Sequence, residues 1–392
     1  MKNILLLIII FLINSTNIYS HWERCKSGLN ADTINCISIY TNEIYVGTQS
    51  KGIYFSIDDD NNWTSNNDSL SNQTIWSISK LDNDIYASTI YGIFSSLDNG
   101  NSWSQKTFGG HDNWYNLVVL CGNYIIASLY EYGLMLSSDK GNTWLYKGDL
   151  YSAHYITAIG INGNDIFALS FFRGISFSSD CGETFVSKDS NIFLPLSIYI
   201  NKDIIAIGTE KNGIYYSSDY GDSWISKNNG LSNLQINAVI IINDKIFAGT
   251  AGGGIFLSSD SCNSWSAQND SLSNLNILSL AHNNKYIFAG TQGGLFRAKL
   301  SDFGITNVND LSNEQNFSLF PNPVSDYLYL NIGNNNYTEI KIYNELGIPV
   351  FARTIQEINN LKIDTRDYSP GVYFCQIKAG SYTETRRFIV VK

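Results

Sequence analysis

Apolar residues along the chain fall into short runs separated by Asn, Ser, Asp and Gly, the pattern of short strands joined by tight turns. Between residues 195 and 227 the runs are Pro195–Ile200, Ile204–Glu210, Gly213–Ser218 and Ser223–Lys227, and the same four recur in unit after unit. Large aromatic residues mark the repeat. Trp22, Trp63, Trp103, Trp144, Phe185, Trp224 and Trp265 are separated by 41, 40, 41, 41, 39 and 41 residues. Four strands per unit of about 40 residues is the period of a β-propeller blade, so the fold class is all-β. The last unit has three runs, Ile277–Ala281, Tyr286–Thr291 and Gly294–Ala298, and then the pattern stops. The segment from His21 to Leu29 matches the outer strand and following loop at Ser223–Leu231. Trp22–Lys26 is therefore expected to supply the missing outer strand of the last blade. That would close a ring of seven blades over residues 21–300 and cover its open sheet edges.

A second motif precedes the aromatic marks. It reads Ser96-Leu97-Asp98-Asn99-Gly100-Asn101-Ser102-Trp103, and it recurs at Ser137–Trp144, Ser178–Phe185, Ser217–Trp224 and Ser258–Trp265. This S-x-D-x-G-x-(S/T)-W pattern resembles the Asp-box, or BNR, repeat. Its aspartates are Asp58, Asp98, Asp139, Asp180, Asp219 and Asp260. The expected form is a hairpin in which Asp accepts backbone N–H bonds, Gly adopts positive φ and Trp covers the sheet. Asp60 and Asn62 depart from the pattern in the first box, and Cys262 replaces Gly in the last. Asp58-Asp59-Asp60-Asn61-Asn62 begins like a calcium loop, but Trp63 stands where such a loop has Gly and Ser69 where it has Glu. These aspartates are read as structural, and no metal or cofactor is expected.

The two ends differ from the repeats. Met1-Lys2-Asn3 precedes an apolar run from Ile4 to Ile13, and Ile18-Tyr19-Ser20 offers small-residue cleavage chemistry, so residues 1–20 read as a secretory signal peptide. The apolar run is too short to cross a bilayer, and no other stretch could. Residues 301–316 are polar and unpatterned, a linker. A further domain over residues 317–392 opens with Phe320-Pro321-Asn322-Pro323-Val324-Ser325-Asp326 and continues in alternating runs that suit a small Ig-like β-sandwich. Its opening, its Ile342-Tyr343-Asn344 and Gly347 turn, Ser369-Pro370-Gly371-Val372-Tyr373-Phe374 and the terminal Arg387–Lys392 resemble the type A C-terminal sorting domain of the type IX secretion system. The resemblance implies the type IX machinery as a partner, passage through the periplasm, and release or attachment at the cell surface.

Composition narrows the partners. Charged residues are 15% of the chain and the net charge is −10 with no basic run, which argues against nucleic acid and anionic membranes. Six cysteines show neither a CxxC nor a Cys/His ligand spacing, so no zinc site is expected and the pairing stays open.

Candidate chemistry lies in the loops at the channel mouth. Blades two to four carry Trp76, Tyr91, His111, Asp112, Trp114, Tyr130, Glu131, Tyr132, Tyr151, His154, Phe171, Phe172 and Arg173. Blades five to seven carry Thr209–Gly213, Thr250–Gly254 and Thr291–Gly294, mostly small or flexible residues. Exposed aromatics with a few polar groups suit sugar rings or peptide side chains. Catalysis is less favoured. Asp-box propellers include sialidases, whose chemistry needs several converging arginines, and residues 21–300 hold only Arg24, Arg173 and Arg297. Xyloglucanase-type enzymes work between two propellers. Glu131 with Asp112 or Asp149 is the carboxylate pairing to weigh for a glycosidase. The whole repeat also resembles the photosystem II assembly factor type, a non-catalytic scaffold, and a secreted glycan- or protein-binding module is the expected function.

Overall fold

The computed structural model describes residues 21–391 apart from 32, 41–42, 58–61, 66, 71–73, 82, 107–114, 130–132, 148–154, 190, 307–317, 321–323, 332–338, 345–346, 355–359 and 380–381. The chain forms two compact units, residues 1–308 and 309–392.

Among the described residues, the first unit contains seven four-stranded antiparallel sheets. Their inner strands are Ile34–Tyr40, Ser77–Leu81, Tyr115–Cys121, Ile156–Asn162, Pro195–Asn201, Ile236–Ile242 and Ile277–His282. Each inner strand neighbours that of the next sheet, and the seventh neighbours the first. This is a β-propeller. All seven second strands, Glu43–Thr48 through Tyr286–Thr291, show one burial pattern: a half-buried first residue and five buried ones. A strand covered on both faces by neighbouring sheets reads as a continuous apolar run, which explains repeats such as Ile-Phe-Ala-Gly-Thr.

The N-terminal segment pairs where the repeat pattern places it. Glu23 and Arg24 lie opposite Arg297 and Phe296. Trp22 itself is 1% exposed and donates its indole N–H to Gln268 O at 2.8 Å. The paired strand is only Glu23–Arg24, shorter than the expected Trp22–Lys26. Outer strands are short elsewhere too: Ile225–Ser226 pairs where Ser223–Lys227 was expected, because the preceding residues belong to the hairpin and the next ones hold the adjacent sheet.

Two features go beyond the sequence reading. Residues 301–305 are not linker: a 3₁₀ turn at Leu300–Phe303 buries Leu300, Phe303 and Ile305, and the Phe303 ring centroid lies 6.2 Å from that of Trp22. The two ends of the propeller chain therefore meet in one apolar cluster. Cys121 and Cys181 form a disulfide that joins the third sheet to the hairpin of the fourth.

The second unit contains a three-stranded sheet, Ser318–Phe320, Tyr327–Asn331 and Asn360–Asp364, and a four-stranded sheet, Pro349–Thr354, Glu339–Asn344, Gly371–Ala379 and Tyr382–Val390. Leu328, Leu330 and Ile363 of the first share a core with Ile340, Ile342, Cys375, Ile377 and Phe388 of the second. Cys375 is the small buried core residue that its alternating position predicts.

Candidate binding crown

The two faces of the propeller are built by different turns. On one face stand the hairpins between third and outer strands. In five of them three hydrogen bonds tie the carboxylate into the turn. Its Oδ1 accepts the hydroxyl of the leading serine at 2.7–2.9 Å and the backbone N–H four residues on at 2.8–2.9 Å. Its Oδ2 accepts the Ser or Thr hydroxyl four residues on at 2.6–2.7 Å. The hydroxyl of Ser102, Ser223 or Ser264 holds the facing Asp98, Asp219 or Asp260 down to about 2, because these bonds favour the ionised form. Asp58 lies outside the described residues. Both oxygens of each aspartate are thus tied into its own turn.

The backbone explains the rest of the motif. The residue before the glycine also adopts positive φ, from 55° to 59° at Asn99, Lys140, Cys181, Tyr220 and Ser261. The ring of Trp144, Trp224 or Phe185 then lies on the bare glycine, and an added Cβ would sit 3.2–3.5 Å from it. Cys262 keeps the turn at φ 63°, and its N–H still bonds Ser258 Oγ at 2.9 Å. Trp265 leaves that hairpin and donates to Lys227 O at 2.9 Å.

The opposite face carries the loops from second to third strands and the connections between sheets. In five sheets a buried threonine closes the loop: Thr48, Thr89, Thr209, Thr250 and Thr291 donate to a glycine carbonyl at 2.8–3.0 Å. Leu129 and Ser170 hold that place in the third and fourth sheets. Asn228 and Asn269 reach into the loops of sheets five and six, with Oδ1 accepting Ile214 N–H and Ile255 N–H at 2.8 Å. A Cβ on Gly213 or Gly254 would stand 2.1 Å from those oxygens. Asn228 and Asn269 thus leave no room for a side chain at Gly213 and Gly254.

At the channel mouth, six inner strands carry a bulge after their first residue. Three bulged residues bind the next sheet: Asn35 donates to Ile75 O at 3.0 Å, Thr157 to Pro195 O at 2.6 Å and Asn237 to Ile277 O at 2.8 Å. Trp76 takes the corresponding place in the second sheet and stays half in water. Bulges re-aim side chains at rims, and here they turn Asn35, Thr157 and Asn237 toward the next sheet.

The exposed aromatics of this face are Trp76, Tyr91, Phe172 and Phe193, each between 39% and 56% exposed. Phe172 meets Phe171 and Tyr155 edge-on at centroid distances of 4.9 and 5.6 Å. Phe171 N–H donates to Tyr155 O and Leu194 N–H to Phe171 O, which fixes this cluster to the next connection. Arg173 beside it is exposed. Of the expected crown residues, Trp76, Tyr91, Phe171, Phe172 and Arg173 are thus described on one face. His111, Trp114, Tyr130, Tyr132, Tyr151 and His154 lie outside the described residues, as do the carboxylates Glu131, Asp112 and Asp149. Phe193 was missed, although Ile192-Phe193-Leu194 is an apolar run in that connection.

Residues 318–391 match the family model of the secretion system C-terminal sorting domain. The C-terminal unit is thus a type IX sorting domain, and the chain is one exported to the cell surface or secreted. No curated protein sequence matches the chain. Solved structures share its fold. PorZ, a surface component of the type IX secretion system of Porphyromonas gingivalis, is 15% identical with a TM-score of 0.58, over 94% of this chain and 61% of PorZ. YCF48 bound to D1 peptide is 15% identical at 0.57, over 72% of this chain and 97% of that one. The WD40 β-propeller domain of Doa1 is 10% identical at 0.55, over 72% and 99%. The chain spans about 61% of the length of PorZ. At these identities the likeness shows the fold alone.

Proposed function

We propose that the exported chain is a non-catalytic binding or scaffold module of the cell surface or its surroundings. In this reading a seven-bladed propeller of Asp-box repeats, closed by the N-terminal strand, presents a glycan or protein ligand site on the crown of its second to fourth blades. Residues 1–20 serve as a signal peptide, and the 317–392 domain is the Ig-like sorting tag. Seven sheets whose inner strands neighbour one another in a cycle support the blade count. The hydroxyl-bonded hairpins support the Asp-box assignment. PorZ, a bacterial surface component, and YCF48, solved with a bound peptide, are similar folds and favour a binding role.

The observation that carries the reading is the half-exposed set Trp76, Tyr91, Phe172 and Phe193 on the face where no aspartate hairpin stands. Fixed aromatic rings offer large contact area at little further entropy cost, which is what anchors provide. Glycan and protein arrays probed with the chain from His21 onward test it. Capture that Phe172→Ala abolishes supports the crown; turnover of a glycan, lost in Glu131→Gln, replaces binding with hydrolysis.

A further inference from the structure

The amino-terminal strand carries a residue that the repeat does not ask for. The position before the aromatic mark is Ser102, Thr143, Thr184, Ser223 or Ser264 in the five bonded hairpins, where its hydroxyl binds the hairpin aspartate. In the seventh sheet the outer strand comes from the other end of the chain, so no hairpin leads into it, and the position is His21. With no hairpin aspartate to bind, the imidazole meets the loop after the sixth sheet. Its Nδ1 lies 3.1 Å from Ser271 Oγ and 3.7 Å from Asp270 Oδ2.

The main chain fixes this meeting. Trp22 N–H donates to Asp270 O at 3.2 Å, its indole N–H donates to Gln268 O at 2.8 Å, and its side chain is buried. Ser271 holds the loop at φ 62°. His21 is thus anchored through its buried neighbour, while its own side chain is 72% exposed and that of Asp270 50%. An exposed pair of this kind adds little stability, so the fold gives no reason for it.

We propose that His21, as the first residue of the exported chain, forms a copper(II) site with Asp270. The proposal rests on the reading of residues 1–20 as a signal peptide removed before His21. Cleavage there frees an α-amine on the residue that carries the imidazole, and Nα and Nδ1 together close one chelate ring on a metal ion. Asp270 supplies an oxygen. Two ligands about 2 Å from one ion stand about 2.8 Å apart when adjacent and about 4 Å when opposite, and the 3.7 Å between Nδ1 and Oδ2 falls inside that span. Among the described residues no three His, Cys, Asp or Glu side chains gather at one place, and this set needs none, because its third ligand is the amine. Nitrogen and oxygen donors suit copper(II) and nickel(II), and copper(II) binds the tighter of the two.

Calorimetric titration of copper(II) against a competing chelator tests the site, on the chain from His21 to Lys392 released from a carrier-protein fusion that leaves His21 first. The expected result is one tight equivalent, with nitrogen ligands in the electron paramagnetic resonance spectrum. The uncleaved fusion, in which His21 has no free amine, and His21→Ala should each bind at least about tenfold more weakly, and Asp270→Asn several-fold more weakly. Amino-terminal sequencing of the chain exported by its host separates the two readings. A first residue other than His21 overturns the proposal through the cleavage reading. A first residue of His21, with copper bound equally well by the uncleaved fusion or by Asp270→Asn, overturns the copper site and leaves the cleavage reading standing.

Discussion

Replacing Cys121 and Cys181 together by alanine should cost more than any single loop change, because their disulfide closes a segment that contains both aromatic loops of sheets three and four. The sequence separation is 60 residues. Loop-closure entropy for that length is about 14 cal/mol/K, or about 4 kcal/mol at 25 °C, removed from the unfolded ensemble. With an unfolding entropy of about 2.1 cal/mol/K per residue over some 280 residues, the melting temperature should fall by roughly 7 °C. Differential scanning calorimetry with and without reductant separates this from packing loss. Wild-type protein in reductant should melt near the variant, while the variant should ignore the reductant. A variant melting within about 1 °C of wild type, or one that reductant shifts as much as wild type, would refute the reasoning. An oxidising destination, as export provides, is where such a bond persists.

Trp22→Ala should cost about 3–5 kcal/mol, since the indole fills the cluster that joins both chain ends; denaturant titration checks it. Gly254→Ala should destabilise by at least about 1 kcal/mol, as φ is +80° and the new Cβ meets Asn269 Oδ1; the same titration on Gly252, which has open space, is the control. Asp98, Asp219 and Asp260 have folded values near 2 against 3.8 for the ordinary carboxyl, so their contribution is full above pH 4 and is lost as pH falls from about 4 to 2. Melting temperature against pH should therefore drop across that window, and Asp219→Asn should flatten the drop. Burial pushes the Cys36 and Cys262 thiols up to about 12, so neither should react with a thiol reagent at pH 8 until the chain unfolds.

What the sequence made legible is whatever repeats locally. The tryptophan register, the serine–aspartate–glycine turn and the alternating runs are each contained within a few residues, and they placed the strands to within a residue or two. What stayed hidden crosses from one repeat to the next. Lys147 meets Glu183 across 36 residues and Cys121 meets Cys181 across 60, and no local pattern names such partners. The (W/F)-x-x-K spacing at Lys106, Lys147, Lys188 and Lys227 is visible once their pairings are known. Residues 301–305 looked like linker because two apolar side chains among polar neighbours make no period, yet Phe303 and Ile305 join the cluster around Trp22. The contrast between aromatic and glycine loops was legible, but half of its cause was not: Asn228 and Asn269 demand glycine on one side. The threonine pin explains more, for it is replaced in the two sheets that carry Tyr130-Glu131-Tyr132 and Phe171-Phe172-Arg173.

The claim that the aromatic crown, rather than the hairpin face, holds the ligand is tested most directly by paired variants against whichever array ligand the chain captures. Biolayer interferometry would compare Trp76→Ala and Phe172→Ala with Asp139→Ala, each alongside a melting curve. Loss of one stacking contact is worth about 0.5–1.5 kcal/mol and of a true anchor 2 kcal/mol or more. The crown variants should therefore weaken binding at least several-fold with melting temperature unchanged, and Asp139→Ala should lower the melting temperature with affinity preserved. Binding lost in a folded Asp139→Ala and kept in both crown variants would put the ligand on the other face.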